Sequence, residues 1–213
     1  MQARRVMKLW FVALVASLAV IRAQPPQAAL PISGVVVFDT SALKLPQSRE
    51  VLGQVLSTAN PQDEFALVQV GERPVVMSGF TSHFDDIQTV TGSSVRPQGT
   101  SALLDAIYLA MNLMRRAHNP TKALLVISDG GRNNSKYTEV EIKNALTDDD
   151  VRVYAIGIHE PIASLRASEQ SSGPRLVREM AEVSGGRYFV GERSSALRDA
   201  ALEVSLAMHG LQR

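Results

Sequence analysis

"VVVFDTSALK", residues 35–44, opens on four apolar residues and then turns polar at Asp39 and Ser41. A strand covered on both faces reads as an unbroken apolar run, and such strands belong to parallel sheets. Open parallel sheets bind ligands beyond the carboxyl ends of their strands. The stretch therefore predicts a central buried strand that delivers a carboxylate and a hydroxyl to a binding crevice.

Working outward, the same signature recurs in "ALLVISD" at 123–129 and "VRVYAIGI" at 151–158, with shorter runs "FALVQVG" at 65–71, "RPVVMSGF" at 73–80 and "RYFV" at 187–190. Stretches of helical period separate them, at about 47–58, 83–91, 102–117, 137–147, 174–184 and 194–209. Alternating strands and helices predict an α/β domain with a mostly parallel six-stranded sheet and helices on both faces. The runs at 65–71 and 73–80 are too close for a crossover helix, so they predict a hairpin and one antiparallel edge strand. The helix at 102–117 is apolar on most faces and should be the most buried. Ser101 and Thr138 stand where helix caps are expected. The Ser-rich segment 159–173 reads as a loop.

The 213 residues fit one sizeable domain, assigned to 33–210. Ahead of it, residues 1–23 carry Arg4, Arg5 and Lys8, an apolar run from Leu9 to Ile21 broken only by Ser17, then Arg22 and Ala23. That order is the order of a secretory signal peptide, and the run is short of the roughly 20 residues of a membrane span. Cleavage after Ala23 is expected, with an uncleaved anchor as the alternative, and residues 24–32 form a Pro-rich leader. Cleavage removes four cations and no acids, taking the formal net charge from +1 to −3. Such a balance gives no electrostatic reason to expect nucleic acid. With no cysteine, disulfides and thiolate metal sites are excluded.

Two strands end in aspartate, Asp39 and Asp129, and "PQGTSALLD" places Thr100 and Ser101 at the start of the most buried helix. If the strands ending at Asp39 and Asp129 are neighbours, Asp39, Ser41, Ser101 and Asp129 share one crevice. Their oxygens suit a hard divalent cation such as magnesium. Each has a plainer reading too: Asp39 as a turn residue, Ser101 as a helix cap.

In their order and spacing, "DTSAL", "GTSALLDAIYLAM" and "KALLVISDGGRNNS" resemble the three loops of a von Willebrand factor type A domain, and the likeness runs from about residue 32 to 204. It is closest to the exported bacterial branch of that family. The resemblance implies a doubly wound, Rossmann-like sheet with a metal-ion-dependent adhesion site, in which Asp39, Ser41, Ser101 and Asp129 hold Mg2+ or another divalent cation and an acidic residue of a partner protein completes the coordination. Thr100 competes with Ser101 for the hydroxyl position. Two features depart from the pattern. Leu43 stands where the second serine of the first loop belongs and offers no oxygen, and that loop is about three residues shorter than usual. Arg132 and Lys44 lie close enough in sequence to neutralise the two aspartates without a metal. A weak or vacant cation site is therefore expected.

The implied function is an exported protein-binding domain of adhesion or scaffold type, secreted or periplasmic. The alternative is a structural subunit of an envelope assembly without metal. Catalysis is disfavoured: an aspartyl phosphatase would need a second Asp where Ser41 stands, and no hydrolase elbow, zinc-protease helix or phosphate-binding loop occurs. His83, His118, His159 and His209 are scattered, without metal-ligand spacing.

Overall fold

The computed structural model describes residues 30–39, 45–93, 101–128, 130, 134–158, 167–191 and 193–211. The expected signal peptide, the first loop at 40–44 and the expected ligand Asp129 lie outside these. The elements in chain order are β1 (Ile32–Asp39), α1 (Leu45–Ser57), β2 (Glu64–Val70), β3 (Val75–Thr81), α2 (Phe84–Ser93), α3 (Leu103–Met114), β4 (Thr121–Ile127), α4 (Glu139–Asp148), β5 (Arg152–Ile158), α5 (Ala167–Val183), β6 (Arg187–Gly191) and α6 (Ser194–Met208).

Six strands form one sheet in the order β3-β2-β1-β4-β5-β6. β1 runs parallel to β2 on one side and to β4 on the other, β4, β5 and β6 are parallel, and only β3 is antiparallel, to β2. The chain winds outward from β1 through β2 to β3, then crosses back to β4 and winds the other way. That reversal falls between β1 and β4, so the two strands ending the "VVVFD" and "LLVIS" runs are neighbours, as the ligand hypothesis requires.

Every residue of β1 is buried. The pleat explains why the run is unbroken: Ile32, Val36 and Phe38 face the layer of α1 and α6, while Val35 and Val37 face the layer of α3, α4 and α5. α3 buries Leu103, Leu104, Ala106, Ile107, Ala110, Met111 and Met114. Gly34 has a steric reason in this strand, since a Cβ there would come within 2.4 Å of the Phe65 ring. That ring in turn meets Phe84 edge-on at 5.6 Å.

One boundary differs from the sequence expectation. α5 starts at Ala167 rather than near 174, so the second half of the segment expected as loop is helical and Pro174 lies inside the helix. The apolar stripe that signals a helix begins only at Leu176 and continues through Val177, Met180 and Ala181. The preceding "ASEQSSG" is polar and carries no such period, and a proline is ordinarily read as a first-turn residue.

Candidate functional site

β1 carries Asp39 to the carboxyl end of the sheet, where it pairs in register with Val70 of β2 and lies one step beyond the Phe38–Ile127 pair with β4. The residue after Ile127 is Ser128, and its hydroxyl donates to Asp39 Oδ2 at 2.6 Å in a buried bond. Ser128 Oγ accepts the Gly130 N–H at 2.9 Å, and the Ser128 N–H donates to Ile156 O of β5. Ser128 thus joins β1, β4 and β5 where the strand order reverses, with Asp39 5% exposed.

The start of α3 is tied to the same end. The Ala102 N–H donates to Gly71 O at 2.9 Å, immediately after β2, and the Asn134 N–H donates to Ser101 O at 2.7 Å. Ser135 then bonds the first turn, its hydroxyl accepting from the N–H groups of Leu104 at 2.9 Å and Asp105 at 3.3 Å. Asp105 reciprocates, its Oδ1 accepting from Lys136 N at 2.8 Å and Tyr137 N at 3.1 Å. The loop after β4 is in this way stitched onto α3, and Tyr137 packs on Tyr108 with ring centroids 4.1 Å apart.

This corrects the reading of Ser101 as a helix cap. α3 has Ala102 at its N-cap with no side-chain cap bond, because Ser135 arrives from another loop to do that work. The Ser101 hydroxyl is left buried with no hydrogen-bond partner among the described residues. Thr138 does cap α4, in a reciprocal box with Glu141; the N–H and hydroxyl of Thr138 hold the Glu141 carboxyl below its ordinary value.

Of the four expected ligands, Asp39 and Ser101 are brought to the same end of the sheet. Ser41 and Asp129 lie outside the described residues, as do Thr100, Leu43, Lys44 and Arg132. Among the described residues no group of three or more acidic or histidine side chains could hold a metal ion. Ser128, Ser135 and Asp105 were not singled out from sequence. The hydroxyl at the end of "LLVIS", next to an aspartate, was the one available signal.

A doubly wound, mostly parallel sheet with helices on both faces and a carboxylate at its switch point defines an α/β domain of the open-sheet class. Residues 35–132, which contain every expected cation ligand, match the von Willebrand factor type A domain family. Over those residues, somewhat less than half of the chain, the sequence is similar to that family.

Solved structures share the fold. An aerotolerance-related membrane protein of Bacteroides fragilis aligns at 16% identity with a TM-score of 0.65, over 85% of this chain and 100% of that one. The von Willebrand factor domain of a type V pilus tip protein of Porphyromonas gingivalis aligns at 12% identity and 0.59, over 87% and 97%. The minor pilin PilB of Streptococcus sanguinis aligns at 13% and 0.63, over 90% and 64%. At these identities the likeness is one of fold. No curated protein matches the chain.

Proposed function

We propose that this chain is an exported, non-enzymatic protein-binding domain of adhesion or scaffold type, which receives an acidic side chain of a partner protein at the β1–β4 switch point. The observation that carries the reading is the Ser101 hydroxyl, buried without a partner among the described residues at the end of the sheet that also holds Asp39. A buried unsatisfied polar group costs about 1–3 kcal/mol, and a ligand at that end would remove the cost. Domains of this fold in a pilus tip protein and a minor pilin support a role at the cell surface. Residues 1–23 support export, and among the described residues no helix is long and apolar enough to cross a membrane.

Asp39 and Ser101 have the oxygen chemistry for magnesium or a similar hard cation, with Ser41 and Asp129 completing the set. When bound, the cation would supply a coordination position for the partner's carboxylate. Leu43 removes one oxygen from that set, and Arg132 or Lys44 can balance the aspartates, so the proposed site is weak or vacant. Two features support the reading: Ser128 orients Asp39, and Ser135 takes the capping role at α3 that would otherwise fall to Ser101.

Calorimetric titration of magnesium and manganese into the mature chain tests the weak site. Millimolar or absent binding is expected, and micromolar binding lost in Asp39→Ala would overturn it. Affinity capture from the native envelope, with and without chelator, tests the function. A partner retained by the wild type and lost by a folded Asp39→Ala variant is expected; equal retention would place binding elsewhere on the surface.

A further inference from the structure

At the opposite pole of the sheet a single buried carboxylate fastens the beginning of the described domain to its end. Asp63 lies in the turn between α1 and β2 and its side chain is 0% exposed. Its Oδ1 accepts the Ile32 N–H, the first of β1, at 2.9 Å. Its Oδ2 accepts the Asn60 N–H at 2.7 Å and meets His209 Nε2, just past α6, at 2.8 Å. The imidazole is itself buried, 5% exposed. Its other nitrogen, Nδ1, meets Ser205 O at 2.7 Å.

A carboxylate and a backbone carbonyl are both pure acceptors, so each ring nitrogen must carry a hydrogen. The arrangement is therefore made by an imidazolium. A neutral ring has one bare lone pair, which would point at either Asp63 Oδ2 or Ser205 O, and one of the two bonds must go. We propose that Asp63 and His209 form a pH-sensitive latch that closes the end of α6 onto the first residue of β1 and loosens as the medium turns alkaline.

The surroundings leave this pair to set its own titration. Within α6, Ser205 also receives the Thr58 hydroxyl at the end of α1, at 2.9 Å. From β5, the Tyr154 hydroxyl donates to Ala207 O at 3.0 Å. Glu64, beside Asp63, is turned to other partners: it accepts from the Ser33 hydroxyl and from the N–H of His118, and pairs with that ring. On the Met208 side, Lys122, Asp149, Asp150 and Arg152 line a surface cavity and carry offsetting charges. The bond to Asp63 raises the His209 value above 6.5, against an opposing push from burial and with help from Ser205 O. A raised folded value means that the latch contributes fully below 6.5 and is lost as pH rises through the folded value.

The test is a nuclear magnetic resonance titration of the mature chain, following the His209 ring and amide-exchange protection at Ile32, with Ser128 as an internal reference at the other pole. His209 is expected to titrate above 6.5, with the Ile32 protection factor falling about tenfold or more as the ring deprotonates, a change worth one unit of equilibrium shift, and Ser128 unchanged. In His209→Gln the pH dependence at Ile32 should vanish. A His209 value at or below 6.5, or the same pH dependence in a folded His209→Gln, overturns the latch. If that variant does not fold, the wild-type ring titration alone decides.

Discussion

Ser128 does more at the site than its sequence context announces. Its hydroxyl hydrogen is committed to Asp39 Oδ2 and its oxygen accepts from Gly130 N, so it fixes the orientation of the carboxylate that β1 delivers. Gly130 permits the arrangement: it has φ of +69°, and a Cβ there would come within 2.1 Å of Gly173 O on α5. Ser128→Ala removes a hydrogen bond to a charged group, for which about 1.5–3 kcal/mol of stability is the expected loss, whereas Ser128→Thr retains the hydroxyl and should lose less. Urea unfolding of the two variants checks this, and equal losses would show that packing rather than the hydroxyl matters. The aspartate was legible in the sequence because it ends an apolar run. Its orienting serine was not, since a small polar residue between Ile127 and Asp129 carries no period, and only the strand register puts it beside Asp39.

At the scale of elements, α3 shows how a helix can free a residue by being capped from elsewhere. Ser101 has the residue type and the position of a cap, which is all that a linear reading can weigh. Ser135 is 34 residues further on in the chain and takes the role through Leu104 and Asp105. Ser135→Ala should cost about 0.5–2 kcal/mol, the usual range for a lost cap, while Ser101→Ala, which removes an unpartnered buried hydroxyl, should be neutral or stabilising. Thermal unfolding of the pair decides between them; a larger loss for Ser101→Ala would mean that its hydroxyl is already satisfied. Strands were the readiest elements to recognise, because burial on both faces writes itself as a continuous apolar run. The beginning of α5 was hidden, because "ASEQSSG" contributes no apolar stripe and Pro174 mimics a start.

Across the whole molecule, the three-layer architecture, a sheet between two layers of helices, follows from the alternation that sends Val35 and Val37 to one face and Val36 and Phe38 to the other. The ties at the pole opposite Asp39 do not follow from any local pattern: Asp63 and His209 are 146 residues apart, and nothing near either one names its partner. Those ties set the acid limit of stability. Burial pushes the Asp63 carboxyl upward, but the bonds from His209 and from the Ile32 and Asn60 amides outweigh it and hold the value below 3.8. Burial acts likewise on Glu64, and the His118 amide, the Ser33 hydroxyl and the His118 ring bring it below 4.5. For a carboxylate lowered on folding, stability is present above the unfolded value and is lost as pH falls through the folded one. Unfolding free energy should therefore decline progressively once pH drops below about 4.5, as Glu64 and Asp63 take up protons. Asp63→Asn leaves the buried His209 without its counter-charge and should cost about 3–5 kcal/mol near pH 6, the usual penalty for breaking a buried pair. The same variant no longer has that carboxylate to protonate, so its acid decline should be shallower than the wild type's. Parallel pH-dependent denaturation curves for wild type and Asp63→Asn would instead show that the acid limit is set elsewhere in the molecule, as at the buried Asp39 of the other pole.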